Sequence, residues 1–154
     1  MKLLLDTTYL LPAIGIAIKE LPHDTPIKLL NQGHQITITD ITLFELAAKA
    51  AKHTTNGTLK PERATRGITA ITHSNNIEII PATTDPQILH TAFKLRNTLN
   101  DFIDCLITSA AINQCDTLIT EDTDIQNLKK TKELNTILTT TNPKFKIQKL
   151  TETL

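Results

Sequence analysis

Short runs rich in Leu, Ile and Thr alternate along this chain with longer segments in which apolar residues recur every three or four positions. Such short runs are typical of β-strands, whereas the longer period is typical of helices that bury one face. The predicted strands are Lys2–Leu5, Gln35–Thr39, Ile77–Ile80, Thr117–Thr120 and Phe145–Leu150. Strands that alternate with helices predict an α/β fold, a three-layer α/β/α sandwich with a mostly parallel central sheet of about five strands.

The first and last strands differ in pattern, and the difference predicts their places in the sheet. Lys2–Leu5 ends in consecutive leucines, which is typical of a strand buried on both faces. Phe145–Leu150 alternates apolar and polar residues, which is typical of a strand with one face in solvent. We therefore expect the first strand in a central position and the last strand at an edge.

The segments between the strands carry helical spacing or helix-start signals. The predicted helices are Leu10–Ile18, Asp24–Gly33, Asp40–Lys52, Lys60–His73, Thr84–Leu99, Asn100–Ile112 and, more weakly, Ile125–Leu138. Pro26 lies just inside the start of its helix and Gly33 closes it, which is the usual asymmetry of helix ends. The helix after Asp40 carries an apolar stripe, with Glu45 at its edge; the stripe residues are Leu43, Leu46, Ala47 and Ala50.

The segment Asn100–Ile112 is predicted to form a buried helix that still carries acid. Its core-facing stripe consists of Ile103, Leu106, Ile107 and Ala110. Asp104 lies about 100° around the helix from that stripe, so its carboxylate is at the edge of the apolar face. No basic residue lies three or four positions away to pair with it. An acid in such a place must be solvated, paired or bound to a metal.

Composition narrows the class of protein. A chain of 154 residues fits one domain, residues 1–154, and aromatic residues at 3% leave an aliphatic core. The 16 basic and 16 acidic residues balance, which argues against strong non-specific binding of nucleic acid. The two cysteines, Cys105 and Cys115, are too few for a structural zinc site. Free thiols, the lack of a leader pattern and the lack of a long apolar run predict a cytoplasmic protein with no membrane association.

Acidic residues recur at predicted strand ends and helix edges, where functional groups of open α/β sheets collect. Taken singly, Asp6 fits an Asx-turn, Asp122 or Asp124 fits a helix cap, and Glu45 fits a solvated helix flank. Taken together with Asp104, these carboxylates predict a site for a hard cation, Mg²⁺ or Mn²⁺, because such ions prefer oxygen ligands. A glycine-built phosphate loop is excluded, since the chain has only 4 Gly and no matching motif.

Four segments in order resemble the PIN domain family of metal-dependent ribonucleases, which includes the VapC-type toxins. They are Leu3–Thr8, Thr42–Leu46, Asp101–Ala111 and Leu118–Asp124. The resemblance covers nearly the whole chain and implies that Asp6, Glu45, Asp104 and Asp122 form the catalytic, metal-binding quartet. It assigns auxiliary places to Asp101, Thr120 and Asp124. Ile125 departs from the family pattern, which usually has Phe there, and this change affects packing more than chemistry.

The resemblance implies an endoribonuclease in which Mg²⁺ or Mn²⁺ assists phosphodiester hydrolysis, acting as the toxin of a toxin–antitoxin pair or in RNA processing. It implies three partners: an RNA substrate, a small antitoxin protein and a second copy of the chain in a homodimer. The alternative is a non-cleaving PIN-like scaffold that binds RNA or protein. The basic segment formed by Lys49, Lys52, Lys60, Arg63 and Arg66 is interpreted either as a path for substrate or, preferably, as a solvated helix face.

Overall fold

The central sheet has five strands, all parallel, in the order β3-β2-β1-β4-β5. The structure is a computed structural model that describes residues 1–154. The strands are β1 (Lys2–Leu5), β2 (Gln35–Thr39), β3 (Ile77–Ile80), β4 (Thr117–Ile119) and β5 (Lys146–Gln148). The predicted α/β sandwich is therefore confirmed, with β1 in the centre and β5 at an edge.

Seven α-helices connect or follow the strands. They are α1 (Thr25–Asn31), α2 (Asp40–Thr55), α3 (Pro61–Thr72), α4 (Pro86–Leu95), α5 (Phe102–Gln114), α6 (Thr123–Asn127) and α7 (Lys132–Thr141). Three short 3₁₀ segments complete the chain at Thr7–Ile14, Leu128–Lys130 and Leu150–Glu152. None of the helices combines the length and the apolar character needed to cross a bilayer.

The leucines of β1 explain why this strand lies in the middle. Leu3 and Leu5 point to one side of the sheet, where they pack with residues from the first 3₁₀ segment, α2 and α3. Leu4 points to the other side, into a second cluster built mainly from α4, α5 and α7. Because successive side chains of a strand alternate between faces, a continuous apolar run is what a strand between two cores requires.

Helix α5 is buried as predicted, and its burial extends beyond the predicted stripe. Every residue from Cys105 to Ile112 is buried, whereas Ile103, expected in the core stripe, is only half-buried. Helices α4 and α7 cover the face that an ordinary amphipathic helix would leave exposed to solvent. The hydroxyl of Ser109 donates to the carbonyl of Ile88 in α4 at 2.5 Å, which satisfies one polar group of this buried face.

The predicted helix Leu10–Ile18 is wrong in type and length. The chain instead forms the 3₁₀ segment Thr7–Ile14, which ends at Gly15 with φ of +96°. Pro12 lies inside the segment and cannot donate a backbone hydrogen bond, and the left-handed conformation of Gly15 ends the helical path. The predicted single helix Ile125–Leu138 is likewise divided into α6, a 3₁₀ turn and α7.

Gly67 lets α3 approach the first 3₁₀ segment closely. A Cβ atom at this position would lie 2.5 Å from the carbonyl oxygen of Ala13 and 2.7 Å from the Cα of Ile14. Both are backbone atoms, so a larger residue forces the two elements apart. Here packing opposes helix propensity, which by itself favours Ala over Gly by about 1 kcal/mol.

We expect Gly67→Ala to lower the free energy of unfolding by about 1–3 kcal/mol, the usual cost of an overpacked contact. Urea denaturation measures the change. The control is Thr69→Ala on the exposed side of the same helix, where only propensity acts and no loss is expected. A Gly67→Ala protein as stable as the wild type would mean that the contact yields without cost.

Candidate active site

The site lies at the edge of the sheet where β1 and β4 end. The parallel pairing of these strands sets Leu5 beside Ile119, so Asp6 and Thr120 follow at the same level. The backbone N–H of Asp6 donates to the carbonyl of Ile119 at 3.1 Å, which continues the pairing into the site. Carboxyl ends of parallel strands are where ligands bind in open α/β folds.

Asp6 is buried and held at both carboxylate oxygens. Its side chain is only 8% exposed. One oxygen accepts from the backbone N–H of Thr7 at 2.7 Å, and the other accepts from the hydroxyl of Thr120 at 2.6 Å. The backbone bond reaches one residue on rather than the two of an Asx-turn, and together the two hydrogen bonds fix the orientation of the carboxylate.

Thr120 connects two of the acids. While its hydroxyl donates to Asp6, it accepts from the backbone N–H of Asp122 at 3.0 Å. Its carbonyl accepts from the side-chain amide of Gln126 at 2.8 Å, which ties the strand end to α6. Asp122 itself is the N-cap of α6, accepting from the N–H of Ile125 at 2.9 Å.

Glu45 reaches the site from the second turn of α2. The hydroxyl of Thr7 donates to its carboxylate at 2.5 Å, so the residue next to Asp6 also positions Glu45. Lys49, one turn further along α2, lowers the pKa of both Asp6 and Glu45 through its positive charge, without forming an ion pair. Its spacing of four residues from Glu45 on one helix indicates this proximity in the sequence.

The N-terminus of α5 supplies two more acids with different roles. Asp101 is the N-cap and accepts from the N–H of Ile103 at 2.8 Å and, weakly, from that of Asp104 at 3.4 Å. Asp104 is half-buried, and its carboxylate takes part in no hydrogen bond or ion pair with the rest of the chain. Asp104 is therefore the least satisfied acid of the group.

Burial and the charges of neighbouring acids raise the pKa values of Asp6, Glu45 and Asp104, which places these acids in one region. Burial is the main cause of the raised pKa of Asp6, Glu45 and Asp104. The charge of Asp122 adds to the effect on Asp6, and the charges of Asp6 and Asp101 add to that on Glu45. For Asp104, burial and the other four carboxylates together raise the pKa to about 7.

Two other acids at this edge differ from the group. Asp124 is exposed in the first turn of α6, and its charge is not among the main causes of these raised pKa values. Glu121 accepts from the hydroxyl of Tyr9 at 2.8 Å and from the N–H of Leu150 at 3.2 Å. Glu121 thus joins the 3₁₀ segment after β1 to the C-terminal segment, which is a structural role.

The chemistry of this group fits a hard divalent cation. Carboxylates that lack cationic partners and repel one another leave a region of negative potential that a cation would neutralise. No three Asp, Glu, His or Cys side chains are close enough together to form a complete set of protein ligands. Mg²⁺ does not require such a set, because it usually keeps several waters and binds through one or two carboxylates.

The raised pKa of Asp104 predicts how stability depends on pH without metal. Because the folded pKa of about 7 lies above the ordinary value of 3.8, the folded state holds the proton more tightly. The free energy of unfolding is then greatest below pH 3.8 and falls as the pH rises through 7. A shift of one pKa unit corresponds to about 1.4 kcal/mol. Because Asp104 is only half-buried, solvent screening reduces the total loss of stability to about 1–2 kcal/mol.

The measurement is thermal melting in EDTA across this pH range, for the wild type and Asp104→Asn. We expect the melting temperature of the wild type to fall from acid to neutral pH and that of the variant to fall less. Equal slopes for the two proteins would contradict the assignment of the pKa to Asp104.

A family model and several solved structures match this chain. The family model described as PIN domain matches residues 3–131. No individually curated protein matches the sequence significantly.

Several solved structures share the fold. One is VapBC2 from Rickettsia felis bound to a DNA fragment from their promoter, with 21% identity, a TM-score of 0.64, and coverage of 97% of this chain and 98% of that chain. Another is VapBC-1 from nontypeable Haemophilus influenzae, with 21% identity, a TM-score of 0.61, and coverage of 98% and 99%. A third is a toxin–antitoxin complex from Klebsiella pneumoniae, with 19% identity, a TM-score of 0.54, and coverage of 84% and 92%. At these identities the likeness is one of fold.

Proposed function

Since this chain belongs to the PIN domain family, we propose that it is a metal-dependent endoribonuclease that hydrolyses phosphodiester bonds in RNA. The observation that carries the proposal is the group of mutually repelling carboxylates around Asp104. A structural role alone gives no reason to place unpaired acids together, whereas a site for Mg²⁺ or Mn²⁺ does. We assign Asp6, Glu45, Asp104 and Asp122 as the metal-binding and catalytic quartet.

Some of these carboxylates are oriented by neighbouring hydroxyls, and one is free to bind a cation. Asp6 and Glu45 are fixed by Thr120 and Thr7 respectively, so their free lone pairs face a defined direction. Asp104, with no partner of its own, is the carboxylate most available to a cation. The cation, when bound, would activate a water and offset the charge that develops on the phosphate. No side-chain nucleophile is needed.

Asp101 and Asp124 are assigned auxiliary places. Asp101 contributes charge beside Asp104 while it caps α5. Asp124 lies in the first turn of α6, after the cap Asp122. Their substitution should therefore weaken cleavage less than substitution of the quartet.

Thr120 provides a test of positioning. We expect Thr120→Val to lower kcat by about 10- to 100-fold, as loss of an outer-shell partner of a metal ligand commonly does. Thr120→Ser keeps the hydroxyl and should retain most activity. Thr117→Val is the matched control, because Thr117 is a buried threonine of β4 whose side chain makes no hydrogen bond. Kinetics with a defined RNA separates kcat from KM, and an unchanged kcat in Thr120→Val would remove Thr120 from the site.

We further propose that the chain acts as a toxin with a small antitoxin partner and pairs with a second copy of itself. The support is the likeness of fold to the VapBC and toxin–antitoxin structures, together with the absence of net charge to oppose self-association. Growth arrest on expression, relieved by a small protein encoded beside it, would test the first part. Light scattering at micromolar concentration tests the second, and a monomer there would contradict it.

A further inference from the structure

The hydrogen-bond ladder between β4 and β5 is interrupted at the level of the acids. Within the ladder, the N–H of Lys146 donates to the carbonyl of Asp116 at 3.1 Å, and the N–H of Thr120 donates to the carbonyl of Gln148 at 3.0 Å. The bonds of a parallel pair are evenly spaced and recur at every second residue. The next bond would therefore run from the N–H of Leu150 to the carbonyl of Thr120, and it does not form.

Two side chains replace the missing bond. The side-chain amide of Gln126 donates to the carbonyl of Thr120 at 2.8 Å, and the carboxylate of Glu121 accepts from the N–H of Leu150 at 3.2 Å. Both backbone groups are thus satisfied although the strands no longer pair. The carbonyl of Thr120 accepts a hydrogen bond from Gln126 alone.

Gln126 is itself firmly held. It is buried in α6, where its backbone N–H donates to the carbonyl of Asp122 at 3.0 Å. The residue before it, Ile125, is fully buried, and its N–H donates to the carboxylate of Asp122. Hydrogen bonds therefore close the segment on itself, because the side chain of Gln126 reaches back to Thr120 while its backbone is bonded to Asp122.

The carbonyl of Thr120 matters for the acids because it fixes a peptide plane. The peptide bond between Thr120 and Glu121 is planar, so holding its oxygen also holds the direction of the chain toward Asp122. The N–H of Asp122 donates to the hydroxyl of Thr120 at 3.0 Å, and the same hydroxyl donates to Asp6 at 2.6 Å. Release of the carbonyl would loosen the support of two of the four acids at once.

The second polar atom of the Gln126 amide argues against a purely stabilising role. Its Oε1 atom is buried and accepts no hydrogen bond from the rest of the chain. The two amide atoms cannot be exchanged, since only the amino group can donate to a carbonyl. A buried acceptor without a partner costs about as much stability as one hydrogen bond contributes. Gln126 therefore adds little net stability, and its orienting contact needs another explanation.

We propose that Gln126 is a positioning residue of the acidic site. Its amide holds the carbonyl of Thr120 in place of the missing strand bond, which keeps the hydroxyl of Thr120 directed at Asp6. The carboxylates of Asp6 and Asp122 thereby keep the arrangement that a divalent cation requires. This inference rests on the proposed function and adds to it a residue that contacts neither the RNA nor the cation.

Two variants separate the reach of this side chain from its chemistry. Gln126→Met keeps the length but has no donor, whereas Gln126→Asn keeps the amide and is one methylene shorter. Each should lower kcat by about 10-fold, the smaller effect expected for an outer-shell partner of a metal ligand. The KM for a defined RNA should change little, because no surface that contacts the RNA is altered. If Gln126→Met fails to fold, the polar Gln126→Asn protein carries the test.

The matched control is Gln114→Met. The amide of Gln114 donates to the carboxylate of Asp85 at 3.2 Å, at the end of α5 remote from Asp104. The control therefore loses a glutamine hydrogen bond of the same kind away from the acids, and its kcat should equal that of the wild type. An equal fall of kcat in the control would overturn the proposal.

A double-mutant cycle tests whether Gln126 acts through Thr120. In Thr120→Val protein the hydroxyl that Gln126 orients is already gone, so adding Gln126→Met should lower kcat little further. Residues that act through one contact show such non-additive effects, whereas independent residues give losses that multiply. Multiplied losses would overturn the proposed route through Thr120.

Cation affinity provides a measurement that does not depend on cleavage. Calorimetric titration with Mn²⁺ should give a Kd about 10-fold weaker for Gln126→Met than for the wild type, and an unchanged Kd for Gln114→Met. In EDTA, hydrogen exchange at the amide of Asp122 should be faster in Gln126→Met, because the hydroxyl of Thr120 no longer holds that amide steadily.

The outcomes distinguish this inference from the proposed function. If the wild type binds Mn²⁺ and cleaves RNA, and both Gln126 variants do so equally well, the positioning role is wrong and the nuclease stands. If Mn²⁺ affinity depends on Gln126 but no RNA is cleaved, the positioning role stands and the nuclease fails. A Gln126→Met protein that only melts lower, with kcat and Mn²⁺ affinity intact, overturns the positioning role. A wild type that neither binds Mn²⁺ nor cleaves RNA overturns both.

Discussion

Asp104→Asn is expected to abolish RNA cleavage and to leave the metal-free protein folded, as stable as the wild type or slightly more so. The change nearly preserves shape, so it makes no cavity in the buried part of α5 that follows it. It removes one of five carboxylates that repel one another, and the side chain it replaces has no hydrogen bond to lose. Loss of activity and retention of stability are therefore expected together, which separates a functional acid from a structural one.

The assay is cleavage of a panel of defined single-stranded RNAs with Mg²⁺ or Mn²⁺, followed by melting curves in EDTA. Loss of a principal metal ligand should lower kcat by at least about 100-fold, beyond the 10- to 100-fold effect of an outer-shell partner. The control is Asp24→Asn, an exposed acid in a surface ion pair with Lys28, which should change neither property. A variant that melts far below the wild type in EDTA would show that Asp104 stabilises the fold.

Removing or adding a divalent cation is expected to have the second large effect, because the cation changes both activity and stability. EDTA should reduce cleavage to background, and added Mg²⁺ or Mn²⁺ should restore it. A ligand that binds only the folded state stabilises it by about 2.7 kcal/mol at a concentration 100 times its Kd. The wild type should therefore gain several degrees in melting temperature, while Asp104→Asn gains little.

The order of the two melting temperatures should therefore reverse between EDTA and Mg²⁺. In EDTA the variant melts at or above the wild type, and with saturating Mg²⁺ the wild type melts higher. No shift in the wild type would favour the alternative interpretation of the chain as a non-cleaving scaffold, which has no use for the cation. An equal shift in both proteins would place the cation away from Asp104.

Local patterns in the sequence were enough to predict the architecture. The leucines of β1 predicted its central place because a strand between two cores must be apolar on both faces, and the alternation around β5 predicted an edge. Spacing placed Asp6, Glu45, Asp104 and Asp122 at strand ends and helix edges, and the resemblance to the PIN domain family then singled them out as a quartet. Their metal-binding role stays a prediction.

Apolar periodicity predicted the wrong structure where special residues or a neighbouring element determined the local fold. The spacing after Leu10 is helical, but Pro12 and Gly15 convert the segment to a short 3₁₀ path that packs against α3 at Gly67. The segment of α5 was predicted as a buried helix, but its stripe identified only one of the buried faces, and α4 and α7 cover the other. Periodicity reports the preference of one element, whereas burial depends on what packs against it.

The hydrogen bonds within the site also depend on the tertiary structure. The sequence determined which acids and hydroxyls lie at the ends of the strands. Only the register of β1 with β4 brings the hydroxyl of Thr120 to Asp6, and only the packing of α2 beside the first 3₁₀ segment brings that of Thr7 to Glu45. Hydrogen bonds require distances of about 3 Å, and residues separated by 114 or 38 positions acquire such distances only when the sheet and its helices are assembled.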